Sequence, residues 1–124
     1  MDIYITIDPT KGRCVMASRA YIAGEVIEIC PVIVVPNEEL KHLDLTCLYD
    51  YYFNWNEKDA AIALGYGSIY NHSTTPNAAY LTYYDEKLIH IIAYKHINAN
   101  TEILINYNHD VANTQPVWFQ LKNK

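Results

Sequence analysis

The chain has 124 residues, a formal net charge of -5, and 51% hydrophobic residues. This length suits one domain with one modest core, and the apolar fraction argues against intrinsic disorder. Because phosphate contacts need clustered Lys and Arg, the acidic balance argues against direct nucleic-acid binding. It fits a cationic partner such as a basic peptide, and it fits solubility equally well. The three cysteines match no metal-site spacing, so we expect reduced thiols and no metal.

Residues 1–4 read Met-Asp-Ile-Tyr and lack the basic-then-apolar pattern of a signal peptide. No apolar run reaches the length of a membrane span. We therefore expect an intracellular, soluble protein with no membrane contact, in a bacterial cytoplasm or in a host cell or nucleus. Twelve tyrosines stand against two phenylalanines. Tyrosine either lines half-wet pockets or simply fills β-strands, and composition alone favours the second interpretation.

The first third of the chain predicts short strands separated by turn clusters. Alternation around Glu25 and Glu28 predicts a strand in which both glutamates are the polar positions. Pro31 is expected to interrupt it before a β-branched run. The strands predicted here are 3–7, 13–18, 25–29 and 32–35.

Asn37 is predicted to cap a short helix beginning at Glu38, and near-helical apolar spacing predicts a helix over 43–53. From Ala60 the pattern is β again, with a hairpin around residues 85–86. The later predicted strands are 79–84, 87–94 and 102–107. Together these elements predict a mostly-β single domain over 1–124, with a core at about 3–108 and a tail at about 109–124.

Four segments carry candidate chemistry. Residues 65–77 read GYGSIYNHSTTPN, which is typical of turns and contains a short N-glycosylation pattern that we set aside. The functional interpretation is a kinked strand end that offers amide and backbone groups to a ligand. Alone, the other three segments are typical of a glycine turn, a last strand and a core aromatic run. They are residues 11–25, 99–107 and 49–53.

In this order, the segments resemble the SET-domain family of protein-lysine methyltransferases. The family pattern is a small-residue loop, then I-x-x-G-E, then N-H-S-x-x-P-N, then a Glu-led strand ending in tyrosine. In this chain the second motif is the shorter Ile22-Ala23-Gly24-Glu25, and the last two are residues 71–77 and 102–107. The resemblance implies a mostly-β SET fold, with small sheets around a C-terminal pseudoknot and a short helical insertion. Residues 63–67 look especially like the compact viral members. The absence of cysteine-rich flanking segments matches the small viral and bacterial ones.

The resemblance also implies S-adenosylmethionine as the methyl donor and S-adenosylhomocysteine as its product. Asn71 and His72 would hold the donor, largely through backbone groups, and the loop at 12–14 would approach from the other side. Cys14 replaces a usual glycine, which is expected to weaken donor binding. Trp118 would close over the donor, or else it would dock the tail with Phe119, and both interpretations stay open. The implied donor-binding residues are Gly12, Arg13, Cys14, Asn71, His72 and Trp118.

Tyr107 matches the family's catalytic tyrosine. Its ordinary pKa of about 10 makes a phenolate scarce, so we expect its hydroxyl to orient the amine and the methyl group. Tyr51 matches a channel aromatic, and a water-poor channel favours the neutral amine. Residues 64–66 would pair edge to edge with an extended peptide. The implied channel residues are Tyr51, Leu64, Tyr66 and Tyr107.

The leading hypothesis is therefore methylation of a lysine side chain in a basic protein, such as a histone or histone-like protein. The alternative is a catalytically weak SET-fold module that binds basic peptides, which Cys14 and the short tail motivate. A homodimer whose partner completes the site is a third interpretation. Asn100 and Asn108 replace family glycines, which asparagine tolerates because it visits left-handed conformations, and Asn106 stands where Asp is common.

Overall fold

The computed structural model describes residues 1–107, and strands dominate this range. Within it, no helix is long and apolar enough to cross a membrane. In chain order the elements are β1 (Ile3–Asp8), β2 (Gly12–Ala17), β3 (Val26–Val35), a 3-10 turn (Asn37–Glu39), α1 (Leu40–Leu43), a second 3-10 turn (Cys47–Asp50), β4 (Phe53–Trp55), β5 (Asp59–Ala63), β6 (Asn71–His72), β7 (Ala78–Tyr83), β8 (Leu88–Ala93) and β9 (Leu104–Ile105).

Three small sheets make up the described part of the domain. β1 and β2 form an antiparallel hairpin, five antiparallel strands follow the order β4-β5-β3-β8-β7, and β6 pairs with β9 in parallel. Their inner faces share one core, and burying each large apolar side chain stabilises the fold by about 1.5–3 kcal/mol. The predicted mostly-β architecture is confirmed. The largest fully buried side chains include Tyr21, Tyr70, Ile89, Ile91, Ile97, Ile103 and Ile105.

The helical insertion is shorter than predicted. The helix expected over 43–53 is wrong, because α1 ends at Leu43 and only a 3-10 turn, Cys47–Asp50, follows before β4. Phe53 and Trp55 are buried on one side of β4 with an exposed residue between them, which is a strand pattern. The near-helical spacing was misleading because aromatic residues are also common in strands. Asn37 is not a side-chain cap either, since the first 3-10 turn has no side-chain cap hydrogen bond.

β3 is one continuous strand, so the interruption predicted at Pro31 is wrong. The carbonyl of Pro31 accepts a hydrogen bond from the amide of Leu64 at 2.9 Å, so the proline still takes part in backbone pairing. A β-bulge near the start of β3 shifts its register against β8. The bulge reverses the alternation, and Glu28 therefore points into the core instead of toward solvent.

The C-terminal half follows the prediction more closely. The hairpin of β7 and β8 is confirmed, but the last strand is only β9 instead of 102–107. The segment leading into β9 lies between two neighbours. The amide of Ile103 donates to the carbonyl of Val15 at 2.8 Å, and the amide of Ser73 donates to the carbonyl of Ile105 at 2.9 Å. This double pairing agrees with the C-terminal arrangement that the resemblance implies.

Candidate active site

The parallel pairing of β6 and β9 brings the two halves of the motif together. His72 lies opposite Ile105, so Tyr107 follows β9 directly beside His72. The backbone amide of Tyr107 donates to Nδ1 of His72 at 2.9 Å, and the two ring centroids are 5.0 Å apart. Because Nδ1 accepts a hydrogen bond, the proton of the neutral imidazole is on Nε2. Residues 35 positions apart in the chain thus form one side of a shared site.

Asn77 holds this pairing in place. Its Oδ1 accepts from the amide of Leu104 at 2.8 Å, and its Nδ2 donates to the carbonyl of Glu102 at 2.9 Å. The side chain is nearly buried. A carboxamide offers one acceptor and one donor side by side, as a strand edge does, which explains why asparagine suits this position. The motif N-H-S-x-x-P-N contained this residue, but its role depends on a contact that sequence reasoning did not assign.

Asn71 joins β6 to the loop that begins β2. Its Nδ2 donates to the carbonyl of Arg13 at 2.9 Å and to Oε2 of Glu102 at 2.7 Å, and it lies 3.6 Å from Sγ of Cys14. Lys11 pairs with the other carboxylate oxygen of Glu102. Burial would raise the pKa of Glu102, but hydrogen bonds from Lys11, Asn71 and Cys14 outweigh it and hold the pKa below its usual range. The amide hydrogens of Asn71 are therefore engaged within the chain, and a ligand would meet its backbone.

The loop at 12–14 fits its predicted position. Gly12 has φ of 86°, a conformation that favours glycine, whereas Cys14 is not among the positive-φ residues of the described range. A second glycine is therefore not required at 14 for backbone reasons. Burial raises the pKa of the Cys14 thiol, which keeps it protonated. Asn100 has φ of 62°, so it adopts the left-handed conformation expected where it replaces glycine.

The hydroxyl of Tyr107 is fixed by one strong backbone contact. It donates to the carbonyl oxygen of Tyr70 at 2.6 Å. Partial burial raises the pKa of Tyr107, and the neighbouring Tyr51 and Glu102 raise it further. The phenol therefore stays protonated at neutral pH. This agrees with an orienting role for the hydroxyl and disfavours a general base.

Three cavities meet at Tyr51 and Ser68, which line all of them. Two are narrow, about 70 Å³ and about 80 Å³, and Tyr107 lines both. The third is a wider groove of about 420 Å³. The first narrow cavity is largely aromatic, the second adjoins the loop at 12–14, and the groove is largely apolar. Their further lining residues include Asp50, Tyr52 and Tyr70 in the first, Lys11, Arg13 and Asn71 in the second, and Leu48, Ile62 and Leu64 in the third.

The structure separates the remaining predicted residues. Leu64 lines the groove, but Tyr66 packs against the core and lines none of the three cavities. The amide of Leu64 donates to Pro31, and the amide of Tyr66 donates to Glu28 at 3.0 Å. These two amides are therefore engaged within the chain, and the pairing of residues 64–66 with a peptide stays a prediction. Trp118 and the tail around it lie outside the described residues, so its predicted role stays a prediction.

Sequence and structure comparisons agree on a family. A family model described as SET domain matches residues 12–108. A histone-lysine N-methyltransferase of Schizosaccharomyces pombe, specific for lysine 37 of histone H3, is 32% identical over 111 residues, which cover 89% of this chain and 71% of that protein. These matches do not test the predicted likeness to compact viral and bacterial members.

Two solved structures share the fold. A candidate histone methyltransferase of Plasmodium falciparum superposes with a TM-score of 0.73 at 33% identity, covering 88% of this chain and 95% of its own. The CpSET8 protein of Cryptosporidium superposes with a TM-score of 0.67 at 23% identity, covering 85% of this chain and 56% of its own. At this identity it supports the fold alone. The family model spans most of the chain, and Arg13, Asn71 and Tyr107 line one cavity, which His72 does not line. The chain belongs to the SET domain family and is a protein-lysine methyltransferase.

Proposed function

We propose that this protein transfers the methyl group of S-adenosylmethionine to the side-chain amine of a lysine in a histone or similarly basic protein. The observation that carries the proposal is the contact between His72 and Tyr107, which joins the donor motif and the catalytic tyrosine around shared cavities. The family generally uses this donor. The curated relative's histone specificity and the net charge of -5 support a basic substrate.

The residues present fit the donor. The narrow cavity beside β2 is lined by Lys11, Arg13 and Asn71. Because Lys11 is paired with Glu102, the Arg13 side chain and the strand-end backbone are the groups that suit the carboxylate and the polar atoms of an amino-acid-like ligand. The bound donor supplies an electrophilic methyl group on a sulfonium. In this arrangement Arg13 and Asn71 bind the donor, and the bond between the Arg13 carbonyl and Asn71 fixes their spacing.

The tyrosines then orient the acceptor. The attacking amine must be neutral, and burial among aromatic rings disfavours the ammonium form. The Tyr107 hydroxyl donates to the Tyr70 carbonyl, so its oxygen lone pairs can accept from the amine. Tyr51 lines all three cavities and narrows the passage between the apolar groove and the Tyr107 hydroxyl. Positioning of this kind can supply a large part of the rate enhancement without a metal.

Radiolabelled S-adenosylmethionine with purified histones and with lysine-free control peptides tests the proposal. We expect label on histone lysines with the parent and with Tyr49→Phe, and a large loss with Tyr107→Phe. Tyr49 is a matched control because it is exposed and lines none of the three cavities. Binding of the donor without transfer to any basic protein would contradict the proposal and favour a peptide-binding module.

A further inference from the structure

A buried carboxylate lies beneath the site and has no part in the steps above. Glu28 is 4% exposed, and it is the only buried acidic residue among residues 1–107. Burying a carboxylate is costly unless hydrogen bonds compensate for lost hydration. The β-bulge in β3 turns this side chain inward. Such a cost points to a specific task for the carboxylate.

Both oxygens of Glu28 bind one short segment. Oε1 accepts from the hydroxyl of Tyr70 at 2.7 Å, and Oε2 accepts from the backbone amide of Tyr66 at 3.0 Å. Gly65 has φ of 66°, and a Cβ at this position would overlap Oε2 of Glu28. The segment 66–70 is therefore folded closely over the carboxylate, and its first and last residues, Tyr66 and Tyr70, both donate hydrogen bonds to it.

We call the two hydrogen bonds from Tyr66 and Tyr70 to Glu28 the clamp. Tyr70 connects this clamp to the Tyr107 hydroxyl. Its ring is 1% exposed and its hydroxyl is held by Glu28, while its backbone carbonyl accepts from the Tyr107 hydroxyl at 2.6 Å. Burial raises the pKa of the Tyr70 phenol, and the charge of Glu28 raises it further, so this phenol remains a donor. The position of the Tyr70 carbonyl thus depends on a side chain whose hydroxyl Glu28 holds in place.

We propose that Glu28 is a positioning residue for methyl transfer, which acts through Tyr70 to hold the carbonyl that orients the Tyr107 hydroxyl. The inference rests on the proposed function. An apolar residue would fill the core more cheaply, because buried charges seldom add net stability. A carboxylate is the group that accepts from a backbone amide and a phenol at once, and these two donors belong to the segment that ends at the Tyr70 carbonyl.

Three variants separate positioning from simple packing. Tyr70→Phe removes one hydroxyl and keeps the ring, so we expect an unchanged fold, a kcat lower by about tenfold to a hundredfold, and a donor Kd within about twofold. Glu28→Gln keeps the size of the side chain but cannot accept from both donors at once, so we expect it to lower kcat to a similar extent and to leave the donor Kd within about twofold. In a Tyr107→Phe background, Tyr70→Phe should cause no further loss. An equal loss in both backgrounds would overturn the proposal.

A second measurement does not depend on activity. The titration of Tyr107 is followed by NMR of ¹³C-labelled tyrosine, and its signal is assigned by its loss in Tyr107→Phe. In Tyr70→Phe we expect the pKa of Tyr107 to fall, because a displaced carbonyl no longer accepts from the phenol and so no longer favours its neutral form, while partial burial still raises this pKa. An unchanged titration would overturn the clamp. If the parent transfers no methyl group, the proposed function fails, while this titration still decides whether Glu28 and Tyr70 position Tyr107.

Discussion

Substitution of Asn77 tests how β9 is held beside β6. Its carboxamide makes two nearly buried hydrogen bonds, accepting from Leu104 at 2.8 Å and donating to the carbonyl of Glu102 at 2.9 Å. Each bond contributes about 0.5–1.5 kcal/mol net, and an unpaired buried group costs about 1–3 kcal/mol. Asn77→Ala should therefore lower the free energy of unfolding by about 2–4 kcal/mol.

Asn77→Asp refines this test because it keeps the shape of the side chain. One carboxylate oxygen still accepts from Leu104, but the other faces the Glu102 carbonyl, which cannot donate to it. The protonated carboxyl can donate, so burial and this contact raise its pKa. At neutral pH the variant should be destabilised by about as much as Asn77→Ala, roughly 2–4 kcal/mol. The loss should shrink as the pH falls and the introduced carboxyl takes up a proton.

Urea unfolding with a constant m-value measures both effects. Asn37→Ala is the matched control, since Asn37 is exposed and makes no side-chain cap bond, and it should change stability by less than about 0.5 kcal/mol. If Asn77→Ala costs no more than this control, Asn77 does not hold β9. If the loss in Asn77→Asp is independent of pH, the assigned contact to the Glu102 carbonyl is wrong.

Two further predictions concern thiols and acid. Iodoacetamide should modify exposed Cys47 in the folded protein, whereas Cys14 and Cys30 should react only after unfolding, because both are buried and burial raises their thiol pKa values. Peptide mass spectrometry checks this, and rapid labelling of Cys30 would contradict the core packing. The folded pKa of Glu102 lies below its ordinary 4.5, so its charged contacts stabilise the protein above that pH and are lost as the pH falls through the lower value. The stability gap between the parent and Glu102→Gln should therefore be largest at neutral pH and close in acid, and a gap that stays constant would refute the assignment.

Local patterns predicted the local elements of this fold. The hairpin of β7 and β8 was predictable because alternation and its turn lie within one short segment. The order of the motifs identified the family, since each motif contains residues that its local backbone conformation requires. Gly12, with φ of 86°, is an example. The insertion was predicted poorly because tyrosine and leucine at near-helical spacing suit a 3-10 turn and a strand as well.

Long-range contacts were beyond the sequence patterns. The sequence pattern identified Glu28 only as a polar position of its strand, and the bulge against β8 turns it inward. Asn77 and Glu102 carry the connections between the motifs, yet neither role follows from neighbours in the chain. The occupied backbone of residues 64–66 likewise depends on β3, more than thirty residues earlier. The sequence thus proposed the candidate site residues, and the pairing of distant strands determines how those within residues 1–107 contact one another.

The central claim is that Asn71, His72 and Tyr107 form one site with separate tasks, donor binding and amine placement. Single-turnover transfer from labelled S-adenosylmethionine to a histone, measured with donor affinity by calorimetry, tests it most directly. We predict that Tyr107→Phe keeps the donor Kd of the parent within about twofold while the transfer rate falls by about a hundredfold. A transfer rate equal to that of the parent, or a loss of donor affinity that accounts for the whole decrease, would contradict the claim.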